Sequence, residues 1–161
     1  MLKSLLLVLL LTLSSIALAE TPGIYTREVK APMDETYQAL YQSLENARFW
    51  VVFEPNIGEN ISGFANKWGD DYNRNKLEGI RSLVVCNGWY ANQVSNVDPD
   101  LLALCPLRIA LVHKDGISRA LFARPSLVAA GSPGLELIKE IEAKVIEAID
   151  AGLNAAGKID G

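Results

Sequence analysis

The stretch 107–122 constrains the fold of this chain most, because its pattern predicts an antiparallel hairpin. Apolar residues alternate with small or charged ones over positions 107–111, and Asp115-Gly116 then supplies a strong two-residue turn signal. The register that this turn sets places Ile109 opposite Phe122, Leu111 opposite Ala120 and His113 opposite Ser118. One face of the hairpin is therefore apolar and needs a covering layer, with His113 at the rim of that face.

Two segments with helical periodicity are candidates for that covering layer. Positions 33–47 carry apolar residues at three- and four-residue steps, and a longer helix is predicted from Ser132-Pro133 to Leu153. Strand patterns cover positions 24–30, 49–53 and 82–86. Two amphipathic helices over one apolar sheet face predict an α+β fold, a two-layer sandwich with a mostly antiparallel sheet.

The first 19 residues have the pattern of a signal peptide. Lys3 precedes an aliphatic run, and Ala17-Leu18-Ala19 fits the small-x-small site that a signal peptidase cleaves. The run is too short for a membrane span, which needs roughly 20 apolar residues. We expect a mature soluble chain, periplasmic or secreted, with one α+β domain over residues 20–153 and a flexible tail over 154–161.

The charge balance argues against nucleic acid and anionic membrane surfaces as partners. The full chain has a net charge of −4, and removal of Lys3 with the signal peptide leaves 14 basic against 19 acidic residues. A domain that binds phosphate groups would be expected to carry the opposite sign. The remaining partner classes are an unknown small ligand or another protein.

Two segments lack a clear periodic pattern. The pattern of residues 54–81 predicts a solvated loop with one short helix around 61–68. Residues 92–100 predict a polar loop, after which Asp98 or Asp100 caps a short helix. Asp71, Asn73 and Asn75 alternate as in a helix-loop-helix calcium site. The template then requires glycine and glutamate at the positions where this chain has Lys76 and Ser82, so we do not predict calcium binding.

The only two cysteines, Cys86 and Cys105, flank the connection between two predicted strands. If those strands pair antiparallel, both cysteines lie at the same end of the sheet. Paired cysteines in an exported protein usually oxidise, so we predict a Cys86–Cys105 disulfide. The alternative keeps both thiols reduced, either as a copper or zinc site that includes His113, the only histidine, or as a redox pair that exchanges with a partner thiol.

No catalytic residue emerges from the motifs. Ser118 lies in a sequence with alanine at the second glycine position of the G-x-S-x-G elbow, and the glycines around Ser132 are not followed by a phosphate-binding lysine. The polar and aromatic residues that we regard as candidate pocket or ligand contacts are Asn87, Trp89, Tyr90, His113 and Arg124.

Three stretches of the chain are familiar: TREVKAPMDETYQALYQSLENARFWVV, IRSLVVCNGW and LCPLRIALVHKDG. Together with the last helix they resemble the domain-of-unknown-function 302 family over Tyr25–Leu153, in its exported proteobacterial branch. The resemblance implies a β-α-β(4)-α topology, also found in TATA-binding-protein-like domains, and an ability to form homodimers. It supplies no catalytic residues. We therefore expect a non-catalytic ligand-binding or protein-interaction module without a cofactor, the alternative being a thiol-redox or copper/zinc-binding protein.

Overall fold

The computed structural model describes residues 21–158. The predicted signal peptide and the last three residues of the predicted tail lie outside the described residues, so both stay predictions. Within the described part of the chain, no helix combines the length and the apolar character that a membrane-spanning segment needs.

Within residues 21–158, five strands form one sheet in which every neighbouring pair is antiparallel, in the order β1-β5-β4-β3-β2. The strands are β1 (Ile24–Lys30), β2 (Trp50–Phe53), β3 (Gly79–Cys86), β4 (Leu107–Lys114) and β5 (Ile117–Ala123). The predicted hairpin register is confirmed, since Ile109 pairs with Phe122 and His113 with Ser118. The turn signal Asp115-Gly116 explains this, because both residues adopt the positive φ that a type I′ turn requires.

The two long helices are α1 (Met33–Asn46) and α6 (Leu135–Ala156), and their apolar faces form the core with one face of the sheet. The strands contribute Leu83, Val85, Ile109, Leu111 and Phe122 to this core. Counting only the long elements, the order is β-α-β(4)-α, so the predicted α+β sandwich is confirmed. We call the sheet face that packs on these helices the inner face and the opposite one the outer face.

Short helices occupy the connections. They are α2 (Ile57–Ser62), α3 (Ala65–Trp68), α4 (Gly88–Val97) and α5 (Pro125–Val128), with 3₁₀ turns at Gly69–Asp71 and Pro99–Leu104. The predicted polar loop over 92–100 was wrong for residues 92–97, because α4 runs through them. The Asn87 side chain accepts a hydrogen bond from the Tyr90 amide and Val94 turns into the core, which together stabilise a helix there. Asp98 caps the following turn, as expected.

The predicted start of the last helix was two residues early. The Ser132 hydroxyl accepts a hydrogen bond from the Gly134 amide and donates one to Asp98, so Ser132 fixes the connection before the helix while α6 itself begins at Leu135. At its other end α6 extends to Ala156, three residues into the segment 154–161 for which we expected a flexible tail.

Candidate functional site

One feature of chemical interest is a concavity of about 520 Å³ on the outer face of the sheet, which we call the sheet-face cavity. Its floor consists of outward-facing residues of β1, β5 and β4, and its wall consists of α5 and the chain that leads into β4. The residues that line it include Thr26, Glu28, Leu104, Leu107, Arg108, Ala110, Arg119, Leu121, Arg124 and Val128. A volume in this range is typical of sites for small molecules.

The strand register explains the floor of the sheet-face cavity. Leu121 pairs with Thr26 on one side and with Ala110 on the other, which forms a row of small and apolar side chains across three strands. Alternation along β5 turns Ala120 and Phe122 into the core and leaves Leu121 on the outer face. The small Ala110 side chain at the end of the row leaves the floor low, and this makes the surface concave.

The wall of the sheet-face cavity is held in place by a buried carboxylate. Glu142 of α6 is only 8% exposed, accepts a hydrogen bond from the Ser126 amide at 3.0 Å and lies 3.8 Å from the Arg124 guanidinium. Since Ser126 belongs to the first turn of α5, this carboxylate ties α5 to α6. Val128 of α5 borders the cavity and remains 71% exposed, so the rim presents an apolar side chain to solvent.

Arg124 is the one sequence candidate that lines this cavity. Besides its ion pair with Glu142, its guanidinium carbon lies 5.9 Å from the centre of the Tyr25 ring. Burial, together with a hydrogen bond to Asp150, raises the pKa of the Tyr25 phenol to about 12. Arg124 therefore connects the cavity rim to a network that reaches α6.

Asn87, Trp89 and Tyr90 lie together in a different place, in a shallow groove beside β2 that Arg48 and Lys144 also border. Trp89 is 66% exposed, whereas Tyr90 stacks on Phe49 and donates a hydrogen bond to Glu140 at 2.7 Å. Asn87 uses its amide group to donate to the Arg48 carbonyl as well as to cap α4. Both polar ends of the Asn87 side chain are thus engaged in holding the backbone.

The two cysteines are neighbours at one end of the sheet, as the antiparallel pairing of β3 and β4 requires. Both border a small apolar void of about 30 Å³ next to Phe49 and Ile138. The predicted Cys86–Cys105 disulfide is not formed, because both thiols are free and not at disulfide distance. Burial, and then the nearby Cys86 thiol, raises the pKa of the Cys105 thiol above its ordinary value.

The histidine of the metal alternative lies far from these thiols. His113 pairs with Gly79 near the opposite end of the β3–β4 ladder, while Leu107, next to the cysteines, pairs with Val85. Six residues of strand separate His113 from Leu107, which corresponds to roughly 20 Å. Among residues 21–158 no group of three His, Cys, Asp or Glu side chains is arranged to hold a metal ion. The structure therefore does not bring the proposed ligand set together.

His113 instead belongs to a hydrogen-bond chain that resembles a catalytic triad in its composition alone. The Ser118 hydroxyl lies 2.9 Å from His113 Nδ1 and donates to the Ala31 carbonyl at 2.9 Å, and Glu78 lies 3.6 Å from His113 Nε2. Because the single proton of the Ser118 hydroxyl is donated to the Ala31 carbonyl, His113 Nδ1 must be the donor in its hydrogen bond with Ser118. In a catalytic triad the histidine instead accepts the proton of the serine hydroxyl. Ser118 is moreover fully buried. This chain is structural.

Sequence reasoning missed the outer face of the sheet, where Arg108, Arg119 and Leu121 line the cavity. Arg108 appeared only as a polar position in the alternation of β4, and Arg119 and Leu121 only as residues of the hairpin. The signal available was that an outward-facing position on β5 carries leucine, which is unusual for a strand face exposed to water. The cavity wall could not be foreseen, because α5 has only four residues.

The family described as domain of unknown function DUF302 matches residues 25–152. The crystal structure of an uncharacterized conserved protein DUF302 from Bacillus stearothermophilus is similar, with a TM-score of 0.69 at 22% sequence identity; the match covers 81% of this chain and 98% of that one. At this identity the similarity shows the fold alone. No curated protein is similar enough to this chain to count as a match.

Proposed function

The chain belongs to the family described as domain of unknown function DUF302, and from that premise we propose that it is a non-catalytic module that binds a small molecule. The ligand lies in the sheet-face cavity. The single observation that carries this proposal is a concavity of about 520 Å³ with a row of small and apolar side chains across its floor, on a sheet face that neither long helix covers.

The arrangement of the cavity supports binding in a preformed site. Its floor lies on paired strands and its wall is anchored through Glu142, so little chain needs to be ordered when a ligand enters. Binding sites with preformed walls lose less conformational entropy on association. Val128 and Leu121 supply apolar surface that a ligand would remove from water.

The chemistry of the lining supports binding without catalysis. Among the described residues the hydroxyl groups of the lining come from Thr21 and Thr26, and its carboxylate comes from Glu28. Glu28 is ion-paired with Arg119 at 3.6 Å. A general base needs a group that is free to reach a substrate proton, and the Glu28 carboxylate is already engaged with Arg119.

The test is to fill the cavity and measure the binding of the neutral apolar dye Nile red by fluorescence. Ala110→Trp places a large side chain on the cavity floor, and Ala47→Trp makes the same change at an exposed position outside it. We expect saturable binding to the wild type and to Ala47→Trp, and its loss in Ala110→Trp. Equal binding by all three proteins would overturn the proposal.

The position of the cysteines favours a second candidate, a redox-active thiol pair. Cys86 and Cys105 are close enough for their thiols to interact, and both are half-buried beside an apolar void. The Cys86 thiolate would attack a disulfide of a partner protein, giving a mixed disulfide and one partner thiol. Cys105 would then displace the second partner thiol, leaving Cys86–Cys105 oxidised and the partner reduced by two electrons.

Intact mass measured without reductant distinguishes the states of this pair. The redox candidate predicts two free thiols in the reduced protein, and the loss of two hydrogens on incubation with oxidised glutathione, a small disulfide that stands in for the partner. An unchanged mass or a stable glutathione adduct argues against it. Two free thiols with one bound copper ion would indicate a soft-metal site instead, since thiolates alone can hold copper(I), whereas zinc would need further ligands.

Export is part of this proposal. The pattern of residues 1–19 supports cleavage after Ala19 and function outside the cytosol, in an exported proteobacterial branch of the family. Mass spectrometry of the protein from its natural source would give a mature chain that begins at Glu20. A chain that still begins at Met1 would contradict export by cleavage.

A further inference from the structure

We propose that the sheet-face cavity selects an amphipathic anion, a molecule with a compact apolar body and one carboxylate, and that Arg108 binds the carboxylate. This inference rests on the proposed function and adds the chemical class of its ligand. Three features of the cavity support this assignment: its charge, the existing partners of its arginines and the position of its apolar surface.

The charge of the cavity is opposite to that of the whole chain. The chain has 19 acidic against 15 basic residues, yet among the described residues the cavity lining has three arginines and one glutamate. Clustered arginines on an acidic protein create a local positive potential that attracts anions. Such clustering costs free energy through repulsion between like charges, and a bound anion would relieve it.

The three arginines differ in the partners they already have. Arg119 is paired with Glu28 at 3.6 Å, and Arg124 with the buried Glu142 at 3.8 Å. Arg108 has no carboxylate partner within 4 Å among residues 21–158, and its side chain is exposed at the cavity. Arg108 is therefore the guanidinium that can receive a ligand anion without breaking an existing ion pair.

The apolar surface lies directly beside Arg108. Ala110, two residues further along β4, lies on the same outer face, and Leu121 of β5 pairs with Ala110. Leu104 and Val128 continue the apolar surface up the wall. A ligand whose carboxylate meets Arg108 thus has apolar surface along its body, which describes an alkyl or aryl carboxylate rather than a sugar or a nucleotide.

A guanidinium group favours a carboxylate in particular. Its planar fork of N–H donors matches the two oxygens of a carboxylate, and the resulting paired hydrogen bonds are stronger than bonds between neutral groups. A lysine at the same position would keep the charge but not the two-point geometry. The comparison of these two side chains therefore separates specific recognition from general attraction of anions.

The experiment measures binding of decanoate and decanol by calorimetry or by displacement of Nile red. These probes share one alkyl chain and differ in the charged group. The variants are Arg108→Ala, Arg108→Lys and Ala110→Trp, and Arg74→Ala is the matched control because Arg74 is exposed and lies outside the cavity. Arg108 is exposed on its strand, so its replacement should not prevent folding.

We expect wild type to bind decanoate about tenfold more tightly than decanol, because a charge-assisted hydrogen bond contributes at least that much. Arg108→Ala should remove this preference and leave decanol binding within about twofold of wild type. Arg108→Lys should keep part of the preference for decanoate, and Arg74→Ala should keep all of it. Ala110→Trp should abolish the binding of both probes.

The outcomes separate failure of this inference from failure of the proposed function. Equal affinity for the two probes, with both lost in Ala110→Trp, would overturn the anion class while the binding function stands. Binding of both probes that Ala110→Trp does not weaken would overturn both. A third outcome is a wild-type dimer that binds neither probe and that Ala110→Trp converts to monomers. It would assign the outer face to a second copy of the chain and would overturn both the inference and the proposed function.

Discussion

Gly152 of α6 lies so close to Leu40 of α1 that a Cβ atom on Gly152 would be 2.8 Å from the Leu40 Cα and 3.1 Å from the Ala39 carbonyl oxygen. The two long helices can approach each other this closely because one of them has no side chain at the crossing. The same region is supported by the Ser43 hydroxyl, which donates to the Ala148 carbonyl at 2.7 Å.

Gly152→Ala should therefore destabilise the protein, although alanine normally favours a helix. The new methyl group meets backbone atoms rather than a flexible side chain, so the helices must separate, and such overpacking costs about 1–3 kcal/mol. Urea unfolding measures the change. Gly88→Ala is the matched control, because nothing lies within 4 Å of a Cβ there, and we expect it to leave stability unchanged or slightly raised. Equal effects of the two changes would contradict the close helix crossing.

Ser118→Ala should lower stability and should not reveal a lost enzymatic activity. The substitution removes the donor to the Ala31 carbonyl and the acceptor for His113, and unpaired buried groups cost about 1–3 kcal/mol. Ser95→Ala, which removes an exposed hydroxyl bonded within α4, should change stability by less than about 0.5 kcal/mol. If Ser118→Ala keeps full stability but abolishes an ester hydrolysis seen in wild type, the structural interpretation of the triad-like chain is wrong.

Local patterns allowed most of the fold to be predicted, because hairpin, helix and strand signals depend on nearby residues. The register of β4 and β5 follows from one turn, and the burial of Leu40 and Ile149 follows from helical spacing. The helix α4 was missed because its stability depends on an asparagine cap and one buried valine rather than on a full apolar stripe.

The candidate site could not be predicted in the same way, because it depends on which side chains of distant strands share one face. Arg108 and Arg119 share one face of the predicted hairpin, but the concavity also needs β1 beside β5 and α5 as its wall, which no local pattern indicates. The alternative of a copper or zinc site that includes His113 could not be judged from the sequence for a related reason. His113 is close to Cys105 in sequence but lies toward the other end of an extended strand.

Asn87→Ala should destabilise the protein by about 1 kcal/mol, the usual cost of losing an asparagine helix cap. The side chain both accepts from the Tyr90 amide and donates to the Arg48 carbonyl, so its loss frees α4 and the turn before β2 together. Asn92→Ala, a change of the same type at an exposed position inside α4, is the control. If Asn87 served only to bind a ligand and had no structural role, the urea midpoint of Asn87→Ala would equal that of the wild type.

The Tyr90 phenol should ionise only near pH 12. Burial first, and then the hydrogen bond to Glu140, raises its pKa to about 12, whereas a tyrosine in the unfolded chain ionises near 10. The unfolded chain therefore loses this proton first as the pH rises, so the Tyr90 contribution to stability is complete below pH 10 and is lost between about 10 and 12. Subtracting the phenolate absorbance of Tyr90→Phe from that of wild type isolates this transition. A midpoint near pH 10 would contradict the buried, bonded phenol.

Cys105 should react slowly with iodoacetamide at pH 8. The thiolate is the reactive form, and burial followed by the neighbouring Cys86 raises the Cys105 pKa, so little thiolate is present in the folded protein. The rate at Cys105, followed by peptide mass mapping, should rise with pH to a midpoint above that of the same cysteine in urea-unfolded protein, which serves as the control. Cys86→Ser should increase the rate at Cys105 modestly, because it removes the second cause of the shift and leaves the first. A Cys105 rate in the folded protein equal to that in urea would mean that the thiol is neither buried nor paired with Cys86, and the redox candidate would lose its structural basis.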